Sequence, residues 1–172
     1  MSLAADLNKA CRLTGTFRLR SGQVLDEYFD KYSFEADPRL HRRVAEAMAD
    51  LVPPNTQVLG ALEMGGIPLG TLISQITDLP VAFIRKEAKG YGTGRLIEGA
   101  PVENVVVTVI EDIITSGGSV RAAAVALRHH HANVSTAVCA IDRSPRPGHA
   151  LQDIGVWTES LFTLEQMNGH QN

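Results

Sequence analysis

Apolar and polar residues alternate along the chain in blocks that predict strands and helices in turn. Short, almost wholly apolar runs predict strands buried on both faces of a parallel sheet. Stretches with apolar residues three and four positions apart predict helices, and Asp37 and Pro38 predict the start of the one that runs through Val44 and Met48. The later elements are predicted as strands 57–62, 81–84, 104–110 and 134–141, with helices 67–77 and 119–129 between them.

This alternation is typical of a central, mostly parallel sheet flanked by helices. We therefore predict that residues 1–172 form one α/β domain. Ligands in such sheets bind beyond the carboxyl ends of the strands. The polar residues that follow the predicted strands, and so meet at this edge, are Glu63, Arg85, Glu111 and Asp142.

Residues 1–35, which precede the predicted sheet, are expected to form a small N-terminal hood. Apolar residues at helical spacing predict a first helix that ends near Gly15. The segment 16–30 predicts a hairpin, with Ser21 and Gly22 at or near its turn.

The composition is that of a globular protein with no nucleic-acid or membrane partner. Hydrophobic residues make up 44% of the 172 residues, and the formal net charge of -3 gives no positive excess for nucleic acid. No stretch has the length of a membrane span or the pattern of an export signal. Cys11 and Cys139 are single and far apart, so neither a zinc site nor a disulfide framework is predicted. We expect a cytoplasmic protein.

The segment 105–119, VVVTVIEDIITSGGS, carries the densest candidate chemistry. Its apolar run predicts a buried strand, and the alanine-rich stretch after Gly118 predicts a helix that Ser116 or Ser119 caps. Main-chain amides at a helix start bind anions. Thr115 to Ser119 therefore predict a phosphate site.

Glu111 and Asp112 lie between the predicted strand and this turn. Neighbouring carboxylates beside a buried strand repel each other and lose hydration, so they need partners. Ribose hydroxyls and a hydrated magnesium ion are suitable partners for carboxylate oxygens. An incidental acidic pair in a solvated turn is the alternative, but the Thr-Ser-Gly-Gly-Ser sequence that follows favours a binding site.

The segment from Val107 to Gly117 resembles the signature of the type I phosphoribosyltransferases: a hydrophobic strand, Glu or Asp, Asp, two apolar residues, Thr or Ser, and then Gly. The resemblance implies the fold of that family and phosphoribosyl pyrophosphate (PRPP) as cosubstrate. It also implies that Glu111 and Asp112 hold the ribose hydroxyls and that the loop after them holds the 5-phosphate.

Four separated blocks, in the right order, resemble the orotate phosphoribosyltransferases in particular. They are the N-terminal segment 17–30, the loop 85–99, the strand end 141–143 and the closing segment 159–164. This resemblance implies transfer of the phosphoribosyl group to orotate, which gives orotidine 5'-phosphate and pyrophosphate in pyrimidine biosynthesis.

The same resemblance implies a cofactor, an assembly and a set of roles. Mg²⁺ is expected to bind through PRPP and waters near Glu111 and Asp112. A homodimer is expected, in which residues 86–99 form a mobile catalytic loop shared across the interface. Lys89 and Asp112 are the expected catalytic residues. The expected PRPP ligands are Gly65, Gly66, Arg85, Lys86, Lys89, Tyr91, Glu111, Asp112, Ile113, Ile114, Thr115, Ser116, Gly117, Gly118 and Ser119, and the expected orotate ligands are Arg20, Tyr28, Phe29, Thr115 and Arg143.

Three positions differ from the usual pattern of these enzymes. Gly65 lies where some of them have lysine, so main-chain amides would bind the pyrophosphate there. Tyr91 lies where many have histidine, and Arg20 lies where lysine is usual. Without the resemblance, the residues have simpler interpretations: a tight turn at Gly65, a solvated basic loop over 85–99, and core aromatics at Tyr28. Two other functions stay open, namely a purine or salvage phosphoribosyltransferase and a noncatalytic PRPP sensor.

Overall fold

The computed structural model describes residues 2–18, 22, 24–87 and 95–169. Its helices and strands follow one another as α1 (Leu3–Cys11), β1 (Arg12–Arg18), β2 (Val24–Phe29), α2 (Tyr32–Ala36), α3 (Pro38–Ala49), β3 (Val58–Leu62), α4 (Gly66–Thr77), β4 (Val81–Ile84), β5 (Ile97–Gly99), β6 (Val106–Ile114), α5 (Gly118–His129), β7 (Asn133–Asp142), a 3₁₀ turn (Gln152–Ile154), β8 (Trp157–Thr163) and α6 (Leu164–Asn168).

Within the described residues, six strands form the central sheet in the order β5-β4-β3-β6-β7-β8. All neighbouring pairs are parallel except β4 with β5 at one edge. Strands β1 and β2 form a separate antiparallel hairpin. The α/β class and the mostly parallel sheet are therefore confirmed.

Helices cover both faces of the sheet, which explains why its central strands are almost entirely apolar. On one face, Val120 and Leu127 of α5 pack against residues such as Val109 of β6. On the other face, α1, α3 and α4 pack against residues such as Ile110. Successive residues of β6 thus serve opposite cores, as the pleat of a strand requires.

The predicted start of α3 is confirmed in its cap. The Asp37 side chain accepts hydrogen bonds from the amides of Arg39 and Leu40 at 2.9 and 3.1 Å, and Pro38 is the first helical residue. A capped start with proline in the first turn satisfies amides that have no partner inside the helix.

Strand β6 continues past the predicted end at residue 110. It pairs with β7 as far as Ile114, which lies opposite Asp142. Glu111 and Asp112 therefore belong to the strand rather than to the turn after it, and both are buried. The pairing partner, which the local sequence does not reveal, determines where the strand ends.

Several short elements were not predicted. They are α2, β5, β8 and α6, and the edge strand β5 includes the last three residues of the predicted loop 86–99. Gly99 at its end has a φ of +88°, and a Cβ there would lie 2.7 Å from the carbonyl oxygen of Val81. Each of these elements is only three to seven residues long, so its own periodicity is weak.

The predicted serine cap of α5 is wrong. Gly117, with a φ of +74°, is the N-cap residue, and no side chain caps the helix. The Ser116 hydroxyl accepts a hydrogen bond from the amide of Gly118 at 3.4 Å, which is a long contact. Amides in the first turn of α5 consequently have no acceptor within the helix.

Candidate functional site

The carboxyl ends of β3, β4, β6 and β7 meet at one edge of the sheet. Leu62 lies opposite Ile84, and Ile114 lies opposite Asp142. The segments that follow these strands therefore converge, as in other parallel sheets. This edge carries the candidate site.

The turn after β6 surrounds a small polar cavity of about 60 Å³. The cavity is lined by the end of β6, by the turn and by Val120 of α5. The predicted residues among its lining are Glu111, Ile113, Ile114, Thr115, Ser116, Gly117, Gly118 and Ser119. The size and the uncapped amides of α5 suit an anion such as phosphate.

Gly117 is needed where this turn meets the core. Its positive φ favours glycine, and a Cβ at this position would lie 2.7 Å from Cδ2 of Leu151. Leu151 is fully buried, so it has little room to move. The core residue thus fixes the turn that directs the α5 amides toward the cavity.

Glu111 is a buried carboxyl group that faces this cavity. One of its oxygens accepts a hydrogen bond from the amide of Asp112 at 3.1 Å. Burial, followed by the nearby charge of Asp112, raises the pKa of Glu111 well above its ordinary value. An environment that resists the charge favours a partner such as a hydroxyl or a cation.

Asp112 lies on the other side of β6 and is only 1% exposed. Its Oδ1 accepts a hydrogen bond from the amide of Ile113 at 2.6 Å. Its Oδ2 lies 2.5 Å from Nζ of Lys31. That oxygen accepts no hydrogen bond of regular geometry from the described residues, so its contact with Lys31 is an ion pair.

Glu35 adds a third carboxyl group to this cluster. Its Oε1 is buried and has no hydrogen-bond partner among the described residues. Burial, followed by the charge of Asp112, raises the pKa of Glu35 to about 7. Lys31 opposes this effect, because its positive charge stabilises the ionised carboxylate.

The two glycines after β3 allow an unusually close approach of main chain to β6. A Cβ at Gly65 would lie 1.7 Å from Oδ2 of Asp112, and a Cβ at Gly66 would lie 2.2 Å from the carbonyl oxygen of Ile110. No side chain fits at either position without displacement. Gly65 is thus a neighbour of the Asp112 carboxylate as well as part of a turn.

The ends of β3 and β4 and the start of α5 line a cavity of about 320 Å³. Arg85 and Lys86 line it, as do Gly118 and Ser119. The Glu63 carboxylate accepts a hydrogen bond from the amide of Lys86 at 2.9 Å. This bond anchors the beginning of the predicted catalytic loop beside the turn after β6.

The predicted base-binding residues Tyr28, Phe29 and Arg143 line one cavity of about 390 Å³. The guanidinium of Arg143 lies over the Phe29 ring, 5.8 Å from its centroid, and the Arg143 amide donates to the carbonyl of Ile114 at 2.8 Å. Thr115, also predicted to bind the base, lines the small phosphate-sized cavity instead.

Asp142 has a structural contact at the edge of the site. Its two oxygens accept hydrogen bonds from the amides of Ser144 and Gly148, both at 2.9 Å. The side chain is fully buried. It therefore holds the loop after β7, which positions Arg143.

Three predicted residues, Arg20, Lys89 and Tyr91, lie outside the described residues. Among the residues that are described, no three His, Cys, Asp or Glu side chains are grouped to hold a metal ion. Glu111 and Asp112 are nevertheless oxygen donors of the kind that Mg²⁺ prefers, and Mg²⁺ commonly takes its other ligands from substrate and water.

Lys31, Glu35 and Arg12 belong to the site but were not found by sequence reasoning. Arg12 lines the aromatic cavity and contacts Glu27 at 2.9 Å. Lys31 and Glu35 are four residues apart, a spacing that indicates neighbouring side chains on a helix. That signal, directly after Asp30, could have revealed the short helix α2.

A family model for the phosphoribosyl transferase domain matches residues 33–156. An orotate phosphoribosyltransferase from a Nocardioides species is 52% identical over 167 residues, covering 97% of this chain and 93% of the relative. One from Methanocella arvoryzae is 34% identical, covering 91% of this chain and 90% of the relative.

Among solved structures, the orotate phosphoribosyltransferase from Aeropyrum pernix superimposes with a TM-score of 0.85. The two chains are 27% identical, and the match covers 98% of this chain and 97% of the other. None of the described helices has both the length and the apolar character needed to span a membrane.

Replacement of Gly65 tests the close contact with Asp112. Gly65→Ala should lower the free energy of unfolding by roughly 1–3 kcal/mol, because the added methyl group displaces a buried carboxylate. Urea unfolding measures the change. Gly169→Ala is the control, since its Cβ would make only ordinary contacts at 3.6 Å. Equal stability of the two variants would contradict the contact.

The raised pKa of Glu35 predicts a pH-dependent stability in the absence of substrate and metal. The unfolded chain ionises this group near 4.5, whereas the folded protein keeps the proton up to about 7. Its stabilising contribution is therefore complete below pH 4.5 and is lost as the pH rises through 7.

Glu35→Gln should remove this part of the pH dependence and make the protein more stable than wild type above pH 7. Urea unfolding below pH 4.5 and above pH 7 measures the difference. Glu46→Gln, which alters an exposed residue of α3, should leave the slope of stability against pH unchanged. If the stability of Glu35→Gln changed with pH as steeply as that of wild type, the prediction would be contradicted.

Proposed function

The chain belongs to the phosphoribosyltransferase family, and we propose from this membership that it is the pentosyltransferase that converts orotate and PRPP to orotidine 5'-phosphate and pyrophosphate in pyrimidine biosynthesis. The observation that carries the proposal is the shared cavity of Glu111 and the turn Thr115 to Ser119. It lies beside the cavity that holds Arg143 and two aromatic side chains.

The end of β6 and the turn after it bind the phosphoribosyl group. Glu111 and Asp112 accept hydrogen bonds from the ribose hydroxyls through their carboxyl oxygens. The uncapped amides of α5, with the hydroxyls of Thr115, Ser116 and Ser119, bind the 5-phosphate. The fit of a phosphate-sized cavity to these donors supports this assignment.

The pyrophosphate binds between the ends of β3 and β4. Arg85 and Lys86 supply positive charge at the 320 Å³ cavity, and the main chain of Gly65 and Gly66 approaches without side chains. By resemblance, Lys89 and Tyr91 also bind PRPP. Lys89 stabilises the negative charge that develops as pyrophosphate leaves.

Orotate binds in the aromatic cavity. Its flat ring packs against Tyr28 and Phe29, and its carboxylate meets Arg143, whose guanidinium matches a carboxylate with two parallel hydrogen bonds. Arg20 also binds orotate by resemblance. The exposed guanidinium of Arg143 beside the cavity supports this orientation.

Catalysis in this scheme needs no protein nucleophile. A ring nitrogen of orotate forms the new bond to the anomeric carbon and releases its proton to water, while the bond to pyrophosphate breaks and that group leaves with the electron pair. The residues position the reactants and stabilise charge, with Asp112 orienting the ribose. Mg²⁺, held through PRPP, waters and the acidic pair Glu111 and Asp112, would neutralise phosphate charge when bound.

The assembly and the location of the protein form part of the same proposal. We infer a homodimer in which the loop 86–99 completes the partner's site. We place the protein in the cytoplasm, where reducing conditions keep thiols free. Cys11 and Cys139 are both free and buried, which supports this placement.

A spectrophotometric assay of the purified protein tests the proposed function. With PRPP and Mg²⁺, orotate absorbance should fall, while adenine, hypoxanthine and uracil should give no product. Asp112→Asn is the control and should weaken both turnover and PRPP binding. Turnover of another base would indicate a salvage enzyme, and PRPP binding without any turnover would indicate a sensor.

Replacement of Arg143 tests the base site separately. Arg143→Gln should raise the KM for orotate roughly tenfold to hundredfold, since a charged hydrogen bond to the carboxylate is lost. The KM for PRPP should stay close to the wild-type value. Arg146→Gln, three residues along the same loop, is the control. An unchanged orotate KM in Arg143→Gln would remove the assigned role.

A further inference from the structure

Lys31 contacts the acidic end of β6 although it lies in the N-terminal segment, before the sheet. Its ammonium is 2.5 Å from Oδ2 of Asp112, and its side chain is 32% exposed against 1% for Asp112. This short contact pairs the positive ammonium of Lys31 with the negative carboxylate of Asp112.

The turn before α2 fixes the position of Lys31. The Asp30 carboxylate accepts hydrogen bonds from the Tyr32 amide at 3.1 Å and from the Ser33 hydroxyl at 3.0 Å. The Asp30 amide donates to the carbonyl of Cys11 at 2.7 Å, which ties the turn to α1. Phe34, fully buried, anchors α2. The lysine thus projects from a well-held backbone.

The Asp112 carboxylate is held at both oxygens. Oδ1 accepts from the Ile113 amide and Oδ2 faces Lys31, while Gly65 closes the remaining space so tightly that no Cβ fits there. Each carboxylate oxygen has a second lone pair, which can accept a further hydrogen bond. Without Lys31, the neighbours of Asp112 would include the two carboxyl groups of Glu111 and Glu35, whose ionised forms repel its own.

We propose that Lys31 is a positioning residue for PRPP, which fixes the Asp112 carboxylate in the orientation that receives the ribose hydroxyls. The inference rests on the proposed function, because it names the ribose of PRPP as the group received. Lys31 does not line the aromatic cavity, so its replacement should weaken the binding of PRPP and leave the binding of orotate unchanged.

The test combines binding with a double-mutant cycle. Lys31→Met should weaken PRPP binding, measured by calorimetry, about tenfold to hundredfold, as expected for loss of a charged partner. The KM for orotate should stay near the wild-type value. Lys31→Arg should weaken PRPP binding less than Lys31→Met, because it keeps the positive charge. Lys9→Met, an exposed lysine of α1, should leave activity unchanged.

The cycle separates a positioning role from a merely structural one. In an Asp112→Asn background, Lys31→Met should change PRPP affinity less than about twofold, since the group it positions is already altered. Additive effects, or an equal rise in the orotate KM, would overturn the inference. If Lys31→Met does not fold, Lys31→Gln serves for the same comparison.

The failure of the inference and that of the proposed function are distinguishable. A wild-type protein that turns over orotate but shows an additive cycle refutes only the role of Lys31. A wild-type protein that binds no PRPP refutes the proposed function, and the role of Lys31 is refuted with it.

Discussion

The buried carboxylate of Asp112 is the constraint on which the arrangement of the site depends. A carboxylate removed from water needs hydrogen bonds and an opposite charge, because desolvation otherwise disfavours its ionised form. Here those partners come from two parts of the chain, the following amide of β6 and Lys31 before α2. Gly65, which has no side chain, leaves the space that the carboxylate occupies. The N-terminal segment is thus required for the electrostatics of the strand end.

The parallel sheet explains why the segments that follow its strands meet. All strands from β3 to β8 except β5 run in one direction, so their carboxyl ends lie at a single edge. This geometry was predictable from the sequence, because β3, β4, β6 and β7 are strongly apolar runs and α4 and α5 have clear helical periodicity. The candidate residues Glu111, Arg85 and Arg143 follow from the same pattern.

The remaining parts of the site were not predictable from local sequence. The ion pair of Lys31 and Asp112 joins residues far apart in the chain, and only packing of α2 against the neighbouring elements creates it. The short α2 and α6 have too few turns for a periodic signal. Strand β6 was predicted too short because charged Glu111 and Asp112 suggested a turn, whereas pairing with β7 carries the strand to Ile114.

The wrong prediction of a serine cap on α5 has a physical explanation that links stability to binding. A side-chain cap would satisfy first-turn amides within the protein and leave fewer of them for an anion. The structure instead begins the helix after Gly117, whose left-handed backbone is held against Leu151. The local rule for a stable helix start thus fails at the turn that lines the small polar cavity, where the proposed phosphate binding requires unpaired amides.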